Sequence, residues 1–87
     1  MRYCINEKAI ISKDNGELVI LNMENGKFYG VDDLGTEIWE LLQKGKSCDQ
    51  ITQQLHKNYN EPIENIKRDL QMFINNLYRF GLVHINE

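Results

Sequence analysis

Apolar positions along this chain fall into two periods, and the change from one to the other near Asp32 divides it into a strand-rich third and a helical remainder. Glu17-Leu18-Val19-Ile20-Leu21-Asn22-Met23 is almost wholly apolar, as expected of a central strand covered on one face and partly shielded on the other. Ala9-Ile10-Ile11 gives a shorter flanking strand between Lys8 and Lys13. A third strand, about Lys27 to Val31, sets Phe28 and Gly30 against Tyr29 and Val31. Asn15-Gly16 and Asn25-Gly26 fall between these runs and supply the φ > 0 residues of tight hairpin turns. The prediction is a three-stranded antiparallel meander. Its third strand runs straight into a helical pattern, so nothing next in sequence pairs with its far side. An open strand edge is a docking site for an extended peptide. Gly30 adds a gap on one face, either a bulge or crowding on one reading, or room for close approach by another backbone on the other.

Three helices follow. The first is capped by Asp32 or Asp33, carries Leu34, Ile38, Leu41 and Leu42 on one stripe with Trp39 at its margin, and stops at Gly45. The second opens with Ser47-Cys48-Asp49-Gln50, a capping box, buries Ile51 and Leu55, and ends near Tyr59. The third opens at Asn60-Glu61-Pro62 and runs to Phe80 before Gly81; Leu82 to Ile85 then reads as a short terminal strand. On the third helix Ile66, Leu70, Phe73 and Leu77 form the seam. Ile63, Ile74 and Tyr78 widen it on one side and Phe80 on the other, an arc of about 160°. Either neighbouring elements cover this whole arc, or one margin stays open as a groove wall beside the third strand. The margin expected to form the groove is Ile74 and Tyr78, with Lys67 nearby.

Length and charge narrow the classes. The 87 residues make one domain, 1–87, and the net charge of -3 argues against a bulk electrostatic grip on nucleic acid. Arg2, Asn6, Glu7 and Lys8 leave no room near the start for a signal-peptide core or a membrane span, which points to a cytoplasmic chain with no membrane partner. Cys4 and Cys48 read as two free thiols, with Cys48 in a helical first turn where the macrodipole lowers a thiol pKa. With His56 and His84 they form no short ligand pair, so no metal is expected. No nucleophile and base share a recognisable motif. The expectation is a protein that is not an enzyme and carries no cofactor.

The run from Val19 to Leu42, with its aromatic Phe28-Tyr29 before Gly30, then Val31-Asp32, Gly35 and Ile38-Trp39, resembles the PqqD-like family. Asp69-Leu70, Phe73-Ile74, Leu77 and Gly81-Leu82 are similar to that family's end pattern, so the resemblance covers nearly the whole chain. Val31-Asp32 stands where Leu-Asn is commoner, and the swap keeps an apolar residue before a polar helix start. The resemblance implies an α+β, winged helix-turn-helix-like module, a three-stranded antiparallel sheet followed by three helices. It also implies a recognition element for ribosomally made, modified peptides. Such domains take the leader of a precursor peptide as an added strand, with the third helix closing the groove. Stand-alone members of this kind look most like those of lasso-peptide biosynthesis, which deliver the precursor to a separate leader peptidase. The alternatives are a PqqD-type carrier for a radical-enzyme pathway and a winged-helix DNA-binding regulator.

Under this reading the backbone of Lys27, Phe28, Tyr29, Gly30 and Val31 forms the ladder with the leader. Leu70, Ile74 and Tyr78 supply apolar pockets, and Lys67 meets a leader carboxylate. Ile74→Asp is then expected to abolish binding with the fold intact. Affinity is expected between about micromolar and nanomolar. An unpaired edge also pairs with its own copy, so a weak homodimer is a further expected partner.

Overall fold

The computed structural model describes residues 2–14 and 17–86. In chain order the elements are β1 (Arg2–Ile5), β2 (Ala9–Asp14), β3 (Glu17–Asn22), β4 (Phe28–Val31), α1 (Asp33–Gln43), α2 (Cys48–Asn58), α3 (Ile63–Arg79) and β5 (Val83–Asn86). Strands β2, β3 and β4 form an antiparallel sheet in that order, followed by the three helices, as the α+β expectation requires. β3 is central because it alternates: Leu18, Ile20 and Asn22 are buried, while Val19 and Leu21 are half-buried on the other face.

The two expected hairpin turns fare differently. Asn15-Gly16 lies outside the described residues. At the second, the Asn22 N–H donates to the Lys27 carbonyl and the Gly26 N–H to the Asn22 carbonyl, each at 2.8 Å. The loop is therefore Met23 to Gly26 and not a two-residue Asn-Gly turn. Gly26 takes φ +75, and the Asn25 side chain accepts from the Lys27 N–H at 2.9 Å. Both residue types serve the turn, but in a longer loop than the dipeptide suggests.

Helix ends follow their sequence signals closely. Asp32 caps α1 by accepting from the Gly35 N–H at 2.8 Å. Ser47 and Gln50 form the reciprocal capping box of α2. Gly45 (φ +79) and Gly81 (φ +73) end α1 and α3 in the left-handed conformation. After each glycine the next N–H reaches back: Lys46 to the Leu41 carbonyl at 3.2 Å, and Leu82 to the Leu77 carbonyl at 2.9 Å.

The core lies between the inner face of the sheet and the three helices. Ile20 from β3, Ile38 and Trp39 from α1, Ile51 from α2, and Ile74 and Leu77 from α3 have almost no exposure. Trp39 is thus central and not marginal on α1. Burying each such side chain contributes about 1.5–3 kcal/mol. The chain's ends pair with each other: β1 and β5 form a separate antiparallel ribbon, with Tyr3 opposite Ile85 and Ile5 opposite Val83. The C-terminal strand therefore lies on β1 and not on the three-stranded sheet.

One polar group ties these layers together. Asn22 is 2 % exposed. Its amide nitrogen donates to the carbonyls of Phe80 (3.0 Å) and Gly81 (3.1 Å), and its oxygen accepts from the Glu24 N–H. The Asn6 side chain donates to the same Gly81 carbonyl at 2.8 Å.

Candidate functional site

β4 is the outermost strand of its sheet, with β3 on one side and no described strand on the other. The direction of its free groups follows from the ladder. Register pairs Ile20 with Tyr29 and Leu18 with Val31, and continues to Asn22 and Lys27, which are hydrogen-bonded. Bonded pairs alternate along an antiparallel ladder, so Tyr29 and Val31 turn their N–H and C=O toward β3. Phe28 and Gly30 turn theirs outward. Among the described residues the free rim therefore offers two residues, not the whole of Lys27 to Val31.

The same alternation divides the side chains. Tyr29 points inward onto α3, edge-on to Phe73 (6.0 Å between centroids) and Phe80 (5.1 Å), and its hydroxyl accepts from the Asn76 amide at 3.3 Å. Phe28 stands on the opposite face of the sheet, 68 % exposed. Gly30 keeps the ladder regular, and a Cβ added there meets nothing within 4 Å. Neither a bulge nor crowding accounts for this glycine.

Beside the rim runs a groove of about 290 Å³, with Tyr29, Asp32, Leu34 and Gly35 along one side and Asp69, Met72, Phe73 and Asn76 of α3 along the other. Gly35 makes it possible: a Cβ there would sit 3.0 Å from the Phe73 ring and 3.1 Å from the Val31 side chain. Leu34, Ile38 and Asp69 also border a more enclosed apolar recess of about 200 Å³, closed by Leu55, Tyr59, Glu61 and Ile66. Groove and recess thus share Leu34, Ile38 and Asp69 as walls. A larger hollow of about 510 Å³ at Lys13, Glu17, Gly30 and Asp33 flanks the far end of the rim, and no described residue gives it an aromatic wall.

The margin expected on α3 is corrected by this geometry. Positions 69, 72, 73, 76 and 80 share one face at helical spacing. Leu70 (3 % exposed) and Ile74 (0 %) belong to the core and are not groove surface. Lys67 and Tyr78 are exposed but lie about 160–180° around the helix from Asp69, beyond the buried stripe. The structure brings Tyr29 to the groove, with Phe28 and Gly30 as its neighbours along β4; it does not bring Lys67 or Tyr78 there. Met72, Phe73 and Asn76 carry the wall, and Phe80 had marked that side in the sequence.

The sign of the charge also reverses. Asp32 and Asp69 line the groove, Glu61 joins Asp69 at the recess, and among the described residues no lysine or arginine lines either. The groove therefore presents carboxylates where Lys67 was expected. Tyr59 at the recess donates its hydroxyl to Glu37 at 2.8 Å, which raises its pKa. Cys48 moves opposite to the macrodipole expectation: burial, then the neighbouring Asp49, push its thiol upward. Cys4 and Cys48 are free thiols. Among the described residues no group of His, Cys, Asp and Glu is arranged to hold a metal ion, and no helix is long and apolar enough to cross a membrane.

A family model described as Coenzyme PQQ synthesis protein D (PqqD) matches residues 17–83, from the start of β3 to the start of β5. The chain belongs to the PqqD family. Two solved structures share its fold. One, TbiB1 in complex with the TbiA(beta) leader peptide, is 26% identical, with a TM-score of 0.87 over 97% of this PqqD-family chain and 98% of that one. The other, a lasso peptide synthetase B1 complexed with the leader peptide, is 18% identical, with a TM-score of 0.87 over 98% of this chain and 100% of that one. No curated protein matches the chain.

Proposed function

We propose that this PqqD-family chain is a leader-peptide-binding adaptor of lasso-peptide biosynthesis, which takes the precursor's leader as a strand added to β4. The observation that carries this reading is the outward backbone of Phe28 and Gly30, set beside a groove with an aromatic wall. TbiB1, 26% identical over almost its whole length, is bound to a leader peptide, which supports the leader-binding reading.

Two kinds of interaction divide the work. The ladder to Phe28 and Gly30 gives affinity with little dependence on sequence. Side chains of the added strand that face inward fall against Tyr29, Met72 and Phe73, and a bulky apolar residue beyond the paired segment enters the recess at Leu34 and Ile38. Asp32 and Asp69 favour a lysine or arginine beside those residues. The chain contributes no bond-breaking chemistry: it holds the leader and presents the precursor to a separate leader peptidase.

The test is calorimetric titration with the TbiA(beta) leader peptide and with synthetic leaders from short precursor genes beside this chain's own gene, followed by amide hydrogen exchange. A dissociation constant between about micromolar and nanomolar is expected, with new protection at the Phe28 and Gly30 amides. If no leader binds, or if protection appears only elsewhere, the proposal is wrong.

A further inference from the structure

We propose that the β4 rim also pairs with the β4 rim of a second copy of this chain, in one antiparallel register centred on Tyr29, and that this pairing closes the peptide site. A two-fold axis demands that a strand edge match itself after reversal. This one does. Centring on Tyr29 sets Phe28 opposite Gly30 of the second copy and Gly30 opposite its Phe28. Those are the two residues whose N–H and C=O point outward, so both can form bonded pairs of the antiparallel ladder.

The side chains match as well. Phe28 is largely exposed on the outer face, and the space over Gly30 is empty. Reversal lays each phenyl ring across the gap over the other copy's glycine, the cross-strand pairing by which an aromatic covers an edge glycine. Charge points the same way. The rim begins beside Lys27 and ends beside Asp32 and Asp33, all exposed. An antiparallel copy brings each lysine to the other's carboxylates, whereas a parallel copy would set like charges together. A second copy and a leader would then compete for the same amides, a competition that rests on the function proposed above; the self-pairing does not.

Sedimentation velocity over a concentration series tests the register, with Lys27→Glu, Asp33→Lys and their equimolar mixture beside the parent. The parent should dimerise. Each variant alone places like charges at both ends of the pairing and should dimerise about tenfold or more weakly. In the mixture, the two substituted side chains meet as an opposite-charge pair at one end of the ladder, and the unchanged Lys27 and Asp33 meet at the other. A heterodimer should therefore form with nearly the parent's affinity. Hydrogen exchange at the Phe28 and Gly30 amides should slow as parent concentration rises. A parent that stays monomeric overturns the proposal, and so does a mixture no more associated than its components. Leader binding by such a monomer would leave the adaptor reading standing.

Discussion

Asn22 and Gly81, 59 positions apart in the chain, are joined by a 3.1 Å hydrogen bond that fastens the end of β3, where the β3–β4 loop begins, to the end of α3. Because β4 emerges from that loop and the groove wall from that helix, this bond holds the two sides of the groove in register. Removing the buried amide with Asn22→Ala strands the Phe80 carbonyl and should cost about 2 kcal/mol. Gly81→Ala should cost about 1–2 kcal/mol, since φ is +73 and the new Cβ would lie 2.7 Å from the Asn22 amide. The double variant should lose less than the sum by about 1 kcal/mol, because the crowded amide is gone. Urea denaturation of the four proteins measures the coupling.

Ile74→Asp should unfold the chain, not merely silence it. With no exposure, a carboxylate there has neither water nor a partner, and the cost is about 4 kcal/mol or more. That is a large share of the roughly 5–15 kcal/mol a domain holds. Loss of the near-ultraviolet circular dichroism signal would verify it.

The two flanks of α3 can be told apart cleanly, since Met72 (59 % exposed) and Tyr78 (54 %) are both on the surface. Met72→Asp should weaken leader binding by roughly tenfold or more, and Tyr78→Asp should leave it within about twofold. Thermal melts of both should stay close to the parent's. The comparison is read by titration with one leader peptide.

Cys48 gives a pH-dependent signature. Its thiol titrates above the ordinary value because burial, then Asp49, disfavour the thiolate. A raised value means that folding favours the protonated form; that stabilisation is complete below the unfolded thiol's pKa and drains as pH rises through the folded one. Above about pH 8.5–9 the parent should lose stability that a Cys48→Ala variant does not. Iodoacetamide should also modify Cys48 more slowly at pH 8 than it modifies a free cysteine.

What was legible in the sequence is what short-range chemistry decides. The Ser47–Gln50 box, the stops at Gly45 and Gly81, and the strand periods each report on residues a few positions apart, and they mark every element but β1 (Arg2–Ile5), whose partner β5 lies at the other end of the sequence. The side of α3 that faces β4 was not legible in this way. Both margins lie equally near the buried seam at 100° per residue, and only the packing of Tyr29 on Phe73 and Phe80 selects one. Asn22 was equally hidden, because a polar residue closing an apolar strand reads as its end, and its partners are 58 and 59 residues away. The split of Phe28 and Tyr29 between opposite faces, by contrast, was legible from strand alternation alone.

The outward amides of Phe28 and Gly30, alternating with two residues turned inward, make the rim a reader with a stride of two. A bound peptide would then accept proline or an N-methyl group at every second position of its paired stretch and fail at the positions between. A proline scan of the ligand would therefore trace a sawtooth whose phase reveals the pairing register without a crystal of the complex.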